Sequence, residues 1–503
     1  MPVRLLQVPA MSRSVLLSIL AAPVVAGLAL GGCTKRDDGP LQVSLIGTPE
    51  MLDPAQAVRL ALPAQLVRSA TGEGLVGFDA EGRVVPALAD RWIVTEDGQS
   101  YIFRLRNGVW PGGAPITGES AAAALRRALA GLRGTALGLD LAPVDEVRAM
   151  AGRVVEIRLS SALPDLLTLL AQPELGLPFK KKGAGPMTLE RSDALVTLDP
   201  IPPEKLGLPA EEGWQSRVRS LRVRIEPAAR AIRRFDEGYA DVVLGGTADT
   251  LPLVKTAGLS RGTVRLDPVI GLFGLVFARA DGFLADPANR EAIAMAIDRE
   301  ALLAKFNVAG WDPSTRIVSP DVEDDLGTIG ERWDALDLAA RRQTGLSRVE
   351  RWRSAGGAGP VLRIALPETP GGTIIYERVR DDLGAIGIGT RRVGEDAAAE
   401  LRLVDSVARY GRAAWFLNQL SCAARRAVCS PEGDERVAEA RSAPDAASRA
   451  ALLAEAEAEI TAANGFIPFA RPLRWSLVRA DIAGFAANPW GFHPLLPLAL
   501  APR

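Results

Sequence analysis

Apolar and polar residues alternate over 41–47 (LQVSLIG), the period-two signature of a strand with one buried face, and the proline-punctuated TPEMLDPAQ after it predicts a loop. Between residues 73 and 119 two further alternating runs, RWIVT and SYIFRLR, flank Glu96-Asp97-Gly98, and Asp79 to Gly82 is an earlier turn signal. Together they predict a small antiparallel meander with one wet face, its core filled by Trp92 and Phe103. Thr117 is placed to cap a helix over 120–132, with Glu119 in its first turn.

Farther along, VVEIRLS, ALVTL and LRVRI are strand-like, a helix is expected over 228–237, and YADVVLGG predicts a short buried strand. GLFGLVFAR has no polar position until its end and predicts a core strand; Asp286-Pro287 starts a helix whose buried stripe is Ala292, Ile293, Ala296 and Ile297. Gly356 to Gly359 predicts a linker before the strand VLRIALP, a helix around 376–383 and a strand after Gly387. An alanine-rich helix over 445–463 precedes FIPFARPLRWSLVR. Strands and helices mix without a repeat, which predicts an α/β architecture with more than one core.

The N-terminus departs from this pattern. VLLSILAAPVVAGLAL, residues 15–30, carries no charge, follows Arg13 and ends at Gly31-Gly32-Cys33, as an export signal does. Broken by Pro23, it is shorter than the roughly 20 apolar residues of a membrane-spanning helix. Leu30-Gly31-Gly32-Cys33 resembles a bacterial lipobox, which implies removal of 1–32 and lipidation of Cys33. The chain has 3 cysteines, so lipidation at Cys33 would leave the pair Cys422 and Cys429 to form a disulfide in an oxidising compartment.

Composition excludes more than it suggests. With 59 basic and 60 acidic side chains no single-sign field exists to attract nucleic acid, and the 48% hydrophobic content supports a large core. The single histidine, His493, confines imidazole chemistry to one position, expected to be a packed surface residue. Gly258-Leu259-Ser260-Arg261-Gly262 matches the nucleophile elbow G-x-S-x-G, but a loop precedes it and the strand-like TVRLD follows, the reverse of what that motif needs. No phosphate-binding G-x-x-x-x-G-K-[ST] occurs, and GAIGIG follows a helix rather than a strand. Glu323, Asp324 and Asp325 lack calcium-loop spacing and are expected in a solvated loop; no cofactor and no metal is expected.

The meander residues then carry a resemblance. Glu73-Gly74-Leu75, Asp79, Gly82, Pro86, Leu88-Ala89, Trp92, Asp97-Gly98, Phe103, Leu105-Arg106, Gly108-Val109, Gly113, Pro115 and Thr117 follow, in order, a block typical of family 5 extracellular solute-binding proteins, the oligopeptide, dipeptide and nickel type. Asp286, Arg290, Ala292 and Ala296-Ile297-Asp298-Arg299 resemble a second block, Gly183-Ala184-Gly185-Pro186 a G-x-G-P turn, and LGAIGI from Leu383 its L-x-x-x-G-I. The scaffold roles expected for these residues include ion pairs of Arg106 or Asp298 inside a lobe.

The resemblance implies an α/β, two-lobed periplasmic-binding-protein fold of class II with an extra small domain in the N-terminal lobe. The lobes expected are 33–75 plus 190–269 plus 476–503, with 76–189 as the inserted domain, against 270–475. It further implies the extracytoplasmic binding component of an ABC importer, not an enzyme: a monomer held at the membrane through Cys33, capturing a small molecule or short peptide and delivering it to permease subunits. Trp415 and Asn418 lie in the segment that approaches ligand in relatives, with Asp405 before it; Trp415 also suits a core position. Thr48, Glu50 and Thr247 follow strands, at the ends that such folds present to ligands. Two departures stand out. Phe277-Ala278-Arg279 replaces a frequent F-N-T, and no acid lies between Tyr410 and Cys422, where peptide-binding members tend to offer one to the ligand's amino terminus. A sensor or adaptor lipoprotein without a permease is the alternative from another class, and a hydrolase built on Ser260 is a third.

Overall fold

The computed structural model describes residues 39–52, 60–179, 182–192, 194–255 and 262–500. The export segment 1–32, Cys33 and Ser260 lie outside the described residues.

Two large sheets organise the described chain. The first has seven strands in the order Met187–Ser192, Leu195–Pro200, Leu221–Glu226, Leu41–Ile46, Val242–Thr247, Arg474–Val478 and Val264–Asp267. Leu41–Ile46 is its middle strand and pairs in parallel with both neighbours. Its alternation has one phase because Leu41, Val43 and Leu45 enter a core built under the helix Leu495–Ala499. The second sheet has five strands, ordered Gly389–Val393, Val361–Ala365, Leu401–Val407, Gly271–Phe277 and Phe466–Ala470. All seven residues of Gly271–Phe277 are buried, which accounts for its unbroken apolar run. A Cβ at Gly274 would stand 2.1 Å from the Ile467 carbonyl oxygen, so the neighbouring strand's backbone occupies the space a side chain would need.

Among the described residues the chain passes between these sheets at two places: from Val264–Asp267 to Gly271–Phe277, and back from Phe466–Ala470 to Arg474–Val478. The closing segment FIPFARPLRWSLVR thus contributes one strand to each sheet, divided at Arg471-Pro472.

The predicted meander is a four-stranded antiparallel sheet in the order Ala89–Val94, Ser100–Leu105, Val154–Leu159 and Val144–Ala149. Helix Gly118–Gly131 covers it, capped by Thr117, whose hydroxyl accepts from the Ser120 amide at 3.2 Å. Phe103 is fully buried here, whereas Trp92 is half-buried and tilted against it at 6.3 Å, a rim position. The apolar core under this sheet does not end with it: it continues into Tyr410, Trp415 and Phe416 and the helices Pro431–Ala440 and Ala446–Ala463 beside the five-stranded sheet.

Several expectations change in detail. Arg106 forms a buried pair with Glu73 at 2.6 Å and donates to the Leu206 carbonyl, but Asp298 is a helix cap that accepts from the Ala301 amide at 3.0 Å. The helix expected around 376–383 spans Pro370–Gly384, because Thr369 caps it and Pro370 suits its first turn. Helices Leu62–Thr71 and Leu338–Ser354 have no counterpart among the predicted elements. The first has no side-chain cap to mark its start, although Pro63, Leu66, Val67 and Ala70 form a regular buried stripe, and the second buries only Gly345 and Val349, too little to leave one.

The turn Gly183 to Pro186 packs on the end of Leu62–Thr71: the Gly185 amide donates to the Thr71 carbonyl at 3.0 Å, and a Cβ on Gly185 would stand 2.2 Å from the Thr71 carbonyl carbon. Gly185→Ala is therefore expected to cost about 1–3 kcal/mol of stability through forced backbone movement, seen as an earlier urea midpoint with an unchanged slope.

Candidate functional site

A cavity of about 370 Å³ lies between the two large sheets. One wall is built from the C-terminal end of Val242–Thr247, where Gly245 and Thr247 reach it, from Leu62 and Gln65 on the first helix, and from Phe78 and Phe492. The opposite wall is the end of Leu401–Val407 and its continuation, from Asp405 to Arg409, with Trp415 and Gln419 from helix Ala413–Gln419. Ends of parallel strands are a usual place for a ligand in α/β sheets, because the loops there are free to vary without disturbing the ladder.

Side chains of one segment, residues 405–418, reach out from the five-stranded lobe to Arg474 in the seven-stranded sheet and to residues 140–174, and Arg412 also pairs within its own lobe. Asp405 Oδ1 accepts from Arg474 Nη1 at 2.7 Å, beside the chain's return crossing. Arg409 Nη2 and Nη1 donate to Glu174 Oε1 and Oε2 at 2.8 and 3.0 Å, and Nη1 also to Gln172 Oε1 at 2.8 Å. The Tyr410 hydroxyl and the Asn418 amide each donate to Asp140 Oδ1 at 2.8 Å. Arg412 Nε donates to Asp165 Oδ2 at 2.5 Å and Nη1 to Asp324 Oδ2 at 3.1 Å. Beyond Tyr410 a second cavity, about 470 Å³, opens between residues 160–165 and the helix ends at 440–449.

The electrostatics follow from burial. Burial pushes the Asp140 carboxyl up to about 7, against the opposing pull of Asn418, Tyr410, Arg409 and Arg441. Asp405 is also raised by burial, with Arg474 pulling the other way and Asp249 adding to the rise. Glu174 is held below its ordinary value although burial opposes this, because Arg409 outweighs it together with the Glu174 backbone and Arg68.

Three of the sequence-predicted residues, Thr247, Asp405 and Trp415, meet on the cavity wall. Trp415 is 2% exposed, stands edge-on to Phe416 at 5.0 Å, and its Nε1 has no hydrogen-bond partner, so it is at once a core residue and part of the wall. Asn418 is buried against Asp140 and not on this wall, and Thr48 and Glu50 are exposed beyond it. His493 is not a surface residue: it is 5% exposed, 3.1 Å from Asp267 and stacked on Phe485. Asp324 and Asp325 are likewise not in a solvated loop, since Arg412, Arg449 and Arg316 hold them. Among the described residues no group of three or more His, Cys, Asp or Glu is placed to hold a metal ion, and no helix is long and apolar enough to cross a membrane.

Arg409, Glu174, Asp140 and Asp165 were not singled out in the sequence. Their pairings span more than 230 residues, and the only local signal was the placement of two arginines in ARYGR beside an otherwise apolar stretch.

Cys422 and Cys429 are bonded, with Cα atoms 5.1 Å apart, and close the loop that follows helix Ala413–Gln419. Replacing both with serine is expected to lower stability by about 2–3 kcal/mol, the loop-closure value for so short a ring, read as a shifted urea midpoint against the oxidised protein.

Comparison with known proteins matches residues 83–391 to the family "Bacterial extracellular solute-binding proteins, family 5 Middle". The "Probable deoxycholate-binding periplasmic protein YgiS" of Escherichia coli is 26% identical over 348 residues, which cover 63% of each chain. The "Periplasmic murein peptide-binding protein MppA" of the same organism is 27% identical over 306 residues, covering 54% of this chain and 55% of that one. The chain thus spans less than two thirds of the length of these relatives. Among solved structures, Haemophilus influenzae OppA in complex with RPPGFSPFR superposes with a TM-score of 0.79 at 18% identity, over 92% of this chain and 99% of that one. The fold is the two-lobed, mixed α/β architecture of that class.

Proposed function

Because the chain belongs to the family 5 bacterial extracellular solute-binding proteins, we propose that it captures a small solute by closing two lobes on it and hands that solute to the permease of an ABC importer. The observation that carries this reading is the cavity between two sheets, walled by both and bridged by side chains from both, in a chain that crosses between the sheets at two places. Such crossings at 267–271 and 470–474 can act as a hinge, since few backbone torsions must change for the sheets to separate.

The lobes proposed are those expected from the sequence, with the limits at 189 and 475 moved outside the strands Met187–Ser192 and Arg474–Val478 that they would cut. Thr247, Asp405 and Trp415 are the proposed ligand contacts among the residues singled out in the sequence. The protein acts in the periplasm as a monomer, anchored through lipid on Cys33 after removal of 1–32. The named periplasmic relatives support that compartment, as does the Cys422–Cys429 bond, which persists in oxidising surroundings.

Small-angle scattering tests the proposal. On addition of a small-molecule extract of the host, the radius of gyration is expected to fall and the profile to fit the closed arrangement; a profile that no extract fraction alters would refute capture by closure.

A further inference from the structure

We infer that the cavity between the sheets takes an uncharged, hydroxyl-bearing ring compound of the glycoside class, whose flat face lies on its aromatic residues and whose hydroxyls meet neutral polar groups on both walls. This rests on the binding-protein reading above and adds to it the chemical class of the ligand.

The ionisable side chains of the wall are Asp405, Arg409, Arg426 and Arg474, and each is already held. Asp405 pairs with Arg474, and Arg409 gives both terminal nitrogens to Glu174 behind the wall and one of them also to Gln172. Arg426 donates to Gln419 Oε1 at 2.9 Å and is engaged elsewhere as well. A ligand ammonium or carboxylate would therefore compete with a formed pair or lose its hydration without a partner of its own, and either weakens binding. An uncharged solute meets neither penalty.

The neutral polar groups are less fully used. Gln65 gives its Nε2 to the Leu60 carbonyl and to Glu174, which leaves Oε1 as an acceptor with no donor among the described residues. Gln419 is 4% exposed and takes Arg426 on Oε1, which fixes Nε2 as a donor. Among the described residues nothing accepts from that Nε2, and a buried amide is rarely left so, which makes the cavity it lines the source of the acceptor. Ser406 adds a hydroxyl on the same wall. Gln65 stands on the wall of the seven-stranded sheet and Gln419 on the opposite one, so a solute with several hydroxyls, each both donor and acceptor, satisfies both walls as they close. Phe78, Trp490 and Phe492 supply an aromatic surface, with Phe78 and Phe492 edge to face at 6.1 Å, which suits the C–H face of a ring. A volume of about 370 Å³ is near the lower end of the roughly 300–1,000 Å³ typical of ligand clefts, enough for a compact glycoside and tight for a peptide of several residues.

The test uses the purified full chain and four probes that share a phenyl ring, phenyl β-glucoside, phenyl β-glucuronide, phenyl β-glucosaminide and the dipeptide Ala-Phe, titrated by calorimetry at low and high salt. The neutral glucoside is expected to bind about tenfold or more tightly than the three charged probes, with an affinity that salt leaves unchanged. Gln65→Met and Gln419→Met, on opposite walls, are each expected to weaken it roughly three- to tenfold, the loss of one hydrogen bond, with unfolding midpoints of both variants measured alongside to show that they are folded. A charged probe that binds as tightly as the glucoside, an affinity that falls as salt rises, folded variants that bind like the parent, or no response to the glucoside at millimolar concentration overturns the assignment. Closure in scattering on a charged host solute would leave the binding-protein reading standing and remove only the ligand class; no closure on any host solute would remove that reading itself.

Discussion

Glu174→Gln is expected to shift the protein toward its open form by about 2–3 kcal/mol, roughly thirty- to hundredfold in the closing equilibrium. In the structure the Glu174 side chain is 2% exposed and accepts two hydrogen bonds from Arg409, whose own side chain is 25% exposed. Removing the charge leaves that guanidinium at the interface with neutral acceptors, Gln172 Oε1 and the one oxygen the new amide keeps, whereas in an open form water would solvate it. Breaking a fully buried pair costs about 3–5 kcal/mol, and the partial exposure of Arg409 places this pair below that range. The effect belongs to closing and not to folding of either lobe, because Glu174 keeps Gln65 Nε2 at 3.3 Å on its own side. The free variant should have a larger radius of gyration than the parent and bind its solute correspondingly more weakly. The pair Glu174→Leu with Arg409→Met should recover much of the loss, since it leaves no buried charge unpaired and orphans only the neutral Gln172 Oε1. Equal radii and equal affinities in Glu174→Gln and the parent would show that the pair does not hold the lobes together.

This contact shows where sequence reading stops. The fold was legible because its signals are local: Thr117 and Asp286 as caps, Gly98 at φ +67 in its turn, and the apolar run of Gly271–Phe277 each declare an element within a few residues. The ordered glycines, prolines and aromatics of the meander then placed the chain in its family. Helix Leu338–Ser354 failed to declare itself because it lies across the five-stranded lobe with its polar residues outward and buries too little to leave a stripe.

The site was legible only in part, for a related reason. Thr247 and Asp405 sit at or near strand ends, and strand ends can be read; their convergence with Trp415 on one cavity follows from the fold class. Asn418 and Asp140 form their contact across 278 residues, and nothing in either neighbourhood names the other. The position of Asn418 suits a polar ligand contact, and its amide is instead used on Asp140.

Closing should also depend on pH, and Asp140 sets the direction. Its carboxyl stands at about 7 when Tyr410 and Asn418 cover it, and returns toward the ordinary value near 4 once the lobes part and water reaches it. The closed form therefore binds the proton more strongly. Its advantage is complete below about pH 4, is lost progressively as pH rises through about 7, and changes little above that. The gap between the two values corresponds to roughly 4 kcal/mol at most. The charged groups facing Asp140 are Arg409 and Arg441, both of which lower its value, and both remain cations throughout this window. Asp165 and Asp405, on the same interface, are raised by burial as well and act with the same sign. Glu331 is also pushed up to about 7, but Arg299, Glu291 and Asp334 around it belong to the five-stranded lobe, so it acts on folding and not on closing. Asp140→Asn keeps an oxygen to accept from Tyr410 and cannot ionise. It should close more completely than the parent at pH 8, with most of the dependence between pH 4 and 7 gone from the scattering radius. A variant that retains the parent's full slope would mean that the proton is taken up elsewhere.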